Sequence, residues 1–306
     1  MTALLVIFGI TLLLVTLFYL PFPIIGKHLY SLSIAIESKI AGLTTYTCIL
    51  GDDQITYYDN RNMGKPTLLL LHCFSADRHI WLRFAKHFTQ SHRLFIPDLL
   101  GHGDNTYSAQ NNYSSYTQAN MLVAFIKQQK LTEVVVIGSS MGGMVAAILF
   151  SQHTSLFKRC ILIDPAGAKS DFALEESKKG QIPFLINDLD EFDTFYKRSM
   201  VKPPILPRSV INFLAKKNYI EKYEQLRHQF LDFFNVDEFF TDPFEIAPDR
   251  WLVIWGECDG LLPVTDADYW RMLTGSNPRV FSSIGHMSMV ECPTETAQAV
   301  KQFLSQ

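Results

Sequence analysis

The pentapeptide Gly138-Ser139-Ser140-Met141-Gly142 lies between the apolar run EVVVI and the helix-compatible run MVAAILF, and that juxtaposition constrains the chain more than any other segment. A G-x-S-x-G sequence alone is weak evidence: with Gly and Ser each near about 7% of residues, a chance match arises on the order of once in ten chains of this length. Context sharpens it. A buried strand ending at the motif and a helix beginning there need a turn too tight for large side chains, which leaves the Ser140 hydroxyl above the end of a sheet at a helix N-terminus. The segment therefore predicts strand, tight turn, helix, and a serine presented for nucleophilic attack.

The rest of the chain supplies the sheet such a turn requires. TLLLLH (67–72), RLFIPD (93–98), RCILID (159–164) and WLVIWG (251–256) are short apolar runs bounded by Gly, Pro, Asp or His, which suits strands buried on both faces. TYTCIL (45–50) and QITYYD (54–59) flank Gly51-Asp52-Asp53 and predict a hairpin. Segments with helical spacing lie between the runs, such as Leu122, Phe125 and Ile126 after Ser114 and Ser115. The alternation βαβα predicts an α/β fold with a mostly parallel sheet flanked by helices.

From Gly167 to about Phe240 the alternation stops. Helical patterns at 188–199, 208–218 and 219–235 predict an insertion where a lid would cover the C-terminal edge of the sheet, the usual ligand crevice of open α/β sheets. Phe192, Phe195, Tyr196, Phe213, Leu214, Phe230, Phe233 and Phe234 recur there. Some are expected to line a pocket and the rest to pack the insertion.

The chain has 306 residues, 48% of them hydrophobic and 19% charged, enough for one large domain with an inserted lid. Lys+Arg 27 against Asp+Glu 30 gives a formal net charge of -3, with no basic excess for a nucleic-acid partner. Cys48, Cys73, Cys160, Cys258 and Cys292 are widely spaced without a C-x-x-C pair, so neither a disulfide framework nor a zinc site is indicated. Nothing in the sequence fixes an oligomeric state.

Ala3 to Leu20 carries no charge, and the apolar character runs on to Gly26. About 20 helical residues cross the roughly 30 Å hydrocarbon core, with Tyr19, Phe22 and Tyr30 suited to its interfaces. A buried core helix would usually carry a polar face. For a cleaved signal peptide, no Lys or Arg precedes the run and no small-x-small site follows it before Gly26. Residues 1–26 are read as an uncleaved single-pass membrane anchor with the bilayer as partner. Lys27 and Lys39 on its C-terminal side favour a cytoplasmic catalytic domain. The expected division is anchor 1–26, core 45–166, helical cap 167–240 and core 241–306, with a chain beginning near Ile40 able to fold alone.

A serine hydroxyl is a weak nucleophile that needs a base, and the base needs an orienting acid. The chain order expected around this turn is Ser, then Asp or Glu, then His. Asp259 follows WLVIWG in the loop GECDGLLPV, and His286 follows RVFSSI. Glu257 is a neighbouring rival, but Asp259-Gly260 in mid-loop presents its carboxylate better. Two N–H donors must also meet a tetrahedral oxyanion: that of Met141, after the nucleophile, and one from His72-Cys73-Phe74-Ser75, with Phe74 the expected donor. His72, Asp98 and His102 also look catalytic and are read as organisers of loops.

These segments together, LLLLHCFSADRHIW, IPDLLGHGDN, GSSMGG, IDPAG, WGECDGLLP and GHMSMVECP, resemble the ordered signatures of the α/β-hydrolase superfamily over residues 45 to 306. The hydrophobic N-terminus, the helical cap after the sixth strand and VIWGECDGLLPVTDADYW are similar to the membrane-anchored monoacylglycerol lipases and related bacterial lipases. The resemblance implies Ser140 as nucleophile, Asp259 and His286 as its partners, and Phe74 and Met141 as oxyanion donors. It implies hydrolysis of lipid esters without metal or organic cofactor. One departure stands out: the family has His-Gly where this chain has His72-Cys73, which puts the oxyanion geometry in question and leaves Cys73 as a packing substitution, a redox-sensitive residue or one that narrows the pocket. Carbon–carbon bond hydrolases share a similar nucleophile segment and cap. A non-catalytic, membrane-tethered binding protein on the same fold is a further alternative, whereas dehalogenases and epoxide hydrolases need a carboxylate where Ser140 stands.

Overall fold

Consecutive side chains of a strand point to opposite faces of the sheet, and here both faces are covered. In the computed structural model, which describes residues 23–180, 182, 184–245 and 247–306, Leu69 and Leu71 pack into one apolar layer and Leu68 and Leu70 into the other. Trp251, Val253 and Trp255 are divided in the same way from Leu252 and Ile254. A parallel strand with helices on both sides has no wet face, which is why these runs are apolar throughout.

Helix α1 (Pro23–Ile40) precedes the hairpin β1 (Thr44–Leu50) and β2 (Asp53–Asp59). Then come β3 (Thr67–Leu71), α2 (Leu82–Ala85), β4 (Arg93–Pro97), α3 (Ser115–Gln128), β5 (Val134–Ser139), α4 (Met141–Gln152) and β6 (Phe157–Ile163). Four helices follow before the sheet resumes: α5 (Asp171–Lys179), α6 (Leu189–Ser199), α7 (Arg208–Asn218) and α8 (Tyr223–Phe233). The chain closes with β7 (Trp251–Gly256), α9 (Asp266–Thr274), β8 (Arg279–Phe281), α10 (Ser288–Glu291) and α11 (Pro293–Leu304). The eight strands lie in the order β1-β2-β4-β3-β5-β6-β7-β8. β2 runs antiparallel to both its neighbours, and the other pairs are parallel. The C-terminal ends of β3, β5, β6 and β7 therefore come out side by side.

The helices from α5 to α8 leave and re-enter the sheet region at nearly one point. The Phe240 N–H donates to Gly167 O at 2.8 Å and the Lys169 N–H donates to Phe240 O at 3.0 Å, forming an isolated bridge between Ala168 and Phe240. Helix α5 has no counterpart among the helices expected from the sequence, because DFALEESKK holds few apolar positions. Its signals are at its ends: the Ser170 hydroxyl accepts from the Ala173 N–H, and Gly180 stops the helix at φ +62°.

Residues 1–22, which carry most of the expected membrane anchor, lie outside the described residues. No helix among the described residues is long and apolar enough to cross a membrane. Helix α1 corrects the boundary expected at Gly26. It begins inside the range assigned to the anchor, runs past Gly26 to Ile40, and packs against α7. A Cβ on Gly26 would collide with the Ser209 carbonyl, Tyr30 rests on Phe213 with ring centroids 5.7 Å apart, and Glu37 pairs with Arg83 at 2.9 Å. The strands all lie beyond Ile40, as expected, but the folded body starts before it.

Candidate active site

Ser140 stands alone between β5 and α4 with φ +54° and ψ -118°, a backbone conformation that costs a non-glycine residue about 1–3 kcal/mol. The surrounding turn enforces it. The Ser140 N–H donates to Ile163 O at 3.0 Å, and Ser140 O accepts from the N–H groups of Gly143 (2.9 Å) and Ala166 (3.1 Å). A Cβ on Gly138 would collide with the Gly142 carbonyl, and one on Gly142 would come within 2.5 Å of the carbonyl oxygens of Leu71 and His72. Those two glycines let β5, α4 and the end of β3 approach closely enough to push the Ser140 side chain out at the sheet's edge.

Among the described residues the N–H groups of Met141 and Phe74 have no hydrogen-bond acceptor. Met141 opens the twelve-residue helix α4, whose N-terminal dipole favours negative charge. Phe74 follows β3 in a loop bent by Ser75 at φ +58°, and the Ser75 hydroxyl donates to Phe74 O at 2.6 Å. Tyr219, from the segment after α7, sits 2.9 Å from that hydroxyl. Cys73 is buried, and burial pushes its thiol up to about 12. It is a neutral, apolar part of the wall at physiological pH, which disfavours a redox-sensitive thiolate at this position.

His286 lies in the loop after β8 and Asp259 in the loop after β7. The His286 Nδ1–H donates to Asp259 Oδ2 at 2.6 Å, and both side chains are buried. Asp259 Oδ1 accepts the N–H groups of Leu261 (2.7 Å) and Leu262 (3.0 Å), so the carboxylate is held at both oxygens. Glu257 turns away: its Oε2 accepts the Ser283 N–H at 3.0 Å. Of the two acids weighed from the sequence, the structure brings Asp259 to His286. With Nδ1 engaged, Nε2 is the ring nitrogen open to a proton from Ser140. Among the described residues no hydrogen bond joins Ser140 to His286, but the two line the same space.

That space is double. A cavity of about 220 Å³ is lined by Tyr30 and Ile34 of α1, Cys73, Phe192, Phe195 and Tyr196, together with Ser140 and His286. A second of about 520 Å³ is lined by Ala166, Phe172, Phe230, Phe233 and Phe234, again with Ser140 and His286. Phe74 and Phe184 wall both. Of the insertion residues singled out in the sequence, Phe213 lines neither cavity and packs on Tyr30 instead.

His72, Asp98 and His102 form the support beneath the Phe74 loop. His72 Nδ1–H donates to Cys73 O at 2.8 Å while Nε2 accepts the Leu99 N–H at 2.9 Å. Asp98 binds the buried Arg78 guanidinium and accepts the backbone N–H groups of Arg78 (2.8 Å) and Asp104 (2.9 Å). Burial pushes His102 down to about 3, so its ring is neutral. None of the three lines either of the two cavities that meet at Ser140. Asp164, at the end of β6, carries no signal of a role in the sequence. Its carboxylate, that of Asp259 and a ring nitrogen of His286 bring ligand-type atoms within 4.8 Å of one another. A cation there would have to displace the Asp259–His286 hydrogen bond.

Residues 66–198 match the family model described as alpha/beta hydrolase fold. Lipase 1 of Psychrobacter immobilis is 29% identical over 265 residues, covering 83% of this chain and 81% of its own. Monoacylglycerol lipase ABHD6 of Rattus norvegicus is 29% identical over 273 residues, covering 83% and 80%. Among solved structures, a membrane phospholipase A described as a bacterial virulence factor superposes with TM-score 0.84 at 27% identity, over 100% of this chain and 98% of that one. A putative lipase from Acinetobacter baumannii AYE superposes with TM-score 0.81 at 25% identity, over 90% and 95%. Strand order, the strained serine between β5 and α4, and these similarities give the chain the α/β-hydrolase fold, with residues 66–198 matching the model for that fold.

Proposed function

We propose that the protein is a serine hydrolase that cleaves carboxylic esters of lipids, of the monoacylglycerol lipase or lipase/esterase type, through Ser140, His286 and Asp259. The observation that carries this is the buried 2.6 Å bond from His286 to Asp259 at the junction of two aromatic-walled cavities that Ser140 also lines. In the proposed reaction His286 Nε2 takes the Ser140 proton as Oγ attacks the ester carbonyl. The N–H groups of Met141 and Phe74 receive the oxyanion, the alcohol leaves with the proton from His286, and water releases the acyl group by the same steps. The lipases and monoacylglycerol lipases among the relatives support a lipid ester as substrate, and the apolar walls suit its chain. Solved meta-cleavage product hydrolases share the fold at 14% and 13% identity, which gives the carbon–carbon alternative no comparable support.

The reading includes an N-terminal anchor drawn from the residues ahead of α1, with the catalytic body on the cytoplasmic side. It is supported by the uncharged run from Ala3 to Leu20 and by Leu29, Leu32, Ile36 and Ile40, which leave an exposed apolar stripe along α1. The stripe faces away from Tyr30 and Ile34, which line the smaller cavity. Turnover of p-nitrophenyl esters of increasing acyl length and of a monoacylglycerol, with Ser140→Ala as control, tests the chemistry. Loss of kcat by roughly 10⁴ to 10⁶ in Ser140→Ala is expected, and more than about a tenth of activity remaining would remove Ser140 as nucleophile. Full-length protein found in the soluble fraction would remove the anchor.

A further inference from the structure

Two buried carboxyl groups share the space behind His286, and the proposed reaction uses only one. Asp164 is the first residue after β6, fully buried, with φ +44°. Its Oδ1 accepts the Gly256 N–H at 2.8 Å, and no N–H or hydroxyl among the described residues donates to its Oδ2. Asp259, by contrast, accepts two backbone N–H groups and the His286 N–H. Ligand-type oxygens of both acids and a nitrogen of His286 lie within 4.8 Å of one another.

We propose that Asp164 is a positioning residue of the catalytic array: its carboxyl group holds a proton that it donates to Asp259, fixing the carboxylate that in turn orients His286. Two carboxylates at this separation, away from water, cannot both ionise readily, and the proton settles on the acid with fewer donors aimed at it. Three donors stabilise the Asp259 anion; one serves Asp164. Burial, and then the negative charges of Asp259 and of Glu291 on α10, hold Asp164 protonated, against the Gly256 N–H alone. His286 lies beyond Asp259, and Asp266 of α9 adds its own negative field to Asp259 rather than a cation. The array has one negative charge, on Asp259, and the Asp164 O–H adds a fourth donor to the three that already hold that carboxylate against His286.

The inference rests on Ser140, His286 and Asp259 acting as proposed, and its test separates the two. Asp164→Asn keeps an acceptor for Gly256, a donor for Asp259 and tolerance of φ +44°; Asp164→Gly accepts the same φ without either group. Asp164→Asn is expected to lower kcat about threefold with the acid limb of kcat/KM in place, and Asp164→Gly to lower kcat roughly 10- to 100-fold at unchanged KM with that limb moved to higher pH. If Asp164 were ionised, Asp164→Asn would remove a negative charge near His286 and shift the limb to lower pH, overturning the proposal. Equal kcat and pH profiles for Asp164→Gly and the parent would overturn it too. Infrared difference spectra of Ser140→Ala against Ser140→Ala/Asp164→Asn at pH 8 need no turnover: a protonated-carboxyl stretch lost in the double variant is expected, and its absence from Ser140→Ala would show that Asp164 carries no proton.

Discussion

The backbone N–H of His286 donates to the carbonyl of Ser199 at 2.8 Å, so the last residue of helix α6 holds the loop that carries the candidate base. Glu291 reinforces the joint: one carboxylate oxygen accepts the Gly285 N–H at 2.9 Å and the other the N–H groups of Val201 and Lys202 at 2.8 Å. The insertion therefore sets the position of His286 as well as covering it.

Gly285→Ala tests the joint. Its Cβ would stand 2.8 Å from Ser199 O and 3.0 Å from Met200 Cα, so α6 and the histidine loop must part. A displacement of this size lowers kcat on a short ester by roughly 100-fold, with a smaller change in thermal midpoint. Unchanged kcat would mean that the insertion does not position His286.

Asp259 and Glu257 are two residues apart but bond to different partners, so their variants should diverge. Asp259→Ala is expected to lower kcat by roughly 10³ to 10⁴, having left the imidazole without its orienting acid. Glu257→Ala removes only an acceptor for the Ser283 N–H and should stay within about threefold. Comparable losses in both would argue that the whole loop, rather than one carboxylate, supports His286.

Stability should fall as pH rises from about 4 to 6 on account of Asp266, whose carboxyl burial pushes up to about 6. The folded state then holds a proton that the unfolded chain, with an ordinary carboxyl, has released. This contribution is fully present below the ordinary carboxylate range, declines as pH rises, and is gone above about 6. Asp266→Asn keeps an acceptor for the Ser170 hydroxyl, 2.8 Å away, and removes the titration. The variant should gain about 1–3 kcal/mol over the parent at pH 7.5 but little at pH 4, measured by urea unfolding at the two pH values.

Thiol reagents should spare Cys73. Cys258 is exposed and Cys73 is buried with its thiol pushed up to about 12, so peptide mapping after brief iodoacetamide treatment should find Cys258 modified about 100-fold faster. Cys73→Gly should keep or raise activity on small esters. Rapid labelling of Cys73 in the folded protein would show that the smaller cavity admits water to it.

Removing residues before Ile40 takes away Tyr30, Ile34 and Glu37, and with them one wall of the smaller cavity. A chain starting at Ile40 is expected to show KM raised roughly 3- to 30-fold on lipid esters and lower thermal stability, through loss of about 1–2 kcal/mol of apolar contact. One starting at Pro23 should match the parent on short esters. Equal KM for both would show that α1 takes no part in binding.

The sheet and the residues at its edge were legible because each carries a local signature. EVVVI ends at a glycine that backbone crowding requires, and Asp259 and His286 each follow a recognisable strand. Helix α1 was hidden by its neighbour: the apolar residues before Gly26 read as the end of a span, and Lys27, Glu37 and Lys39 as flanking charge. Asp164 was hidden for another reason. An aspartate after ILI is an ordinary strand terminator, and only the fold shows that β6 and β7 place it behind Asp259. The two cavities depend on contacts between residues far apart in sequence, such as Phe74 with Phe184 at 5.0 Å, which no periodicity encodes.

The bridge between Ala168 and Phe240 makes the helical insertion a loop in the topological sense, tied off at its base. The strands on either side, β6 and β7, pair directly with each other, so their register is independent of how many residues the loop contains. A differently shaped insertion can be transplanted onto that base without disturbing the sheet, provided its rim offers a carbonyl to His286 where Ser199 now does. Selectivity and bond-breaking thus meet at a small joint that a graft has to match: the Ser199 carbonyl on His286, the Val201 and Lys202 N–H groups on Glu291, and Tyr219 beside Ser75.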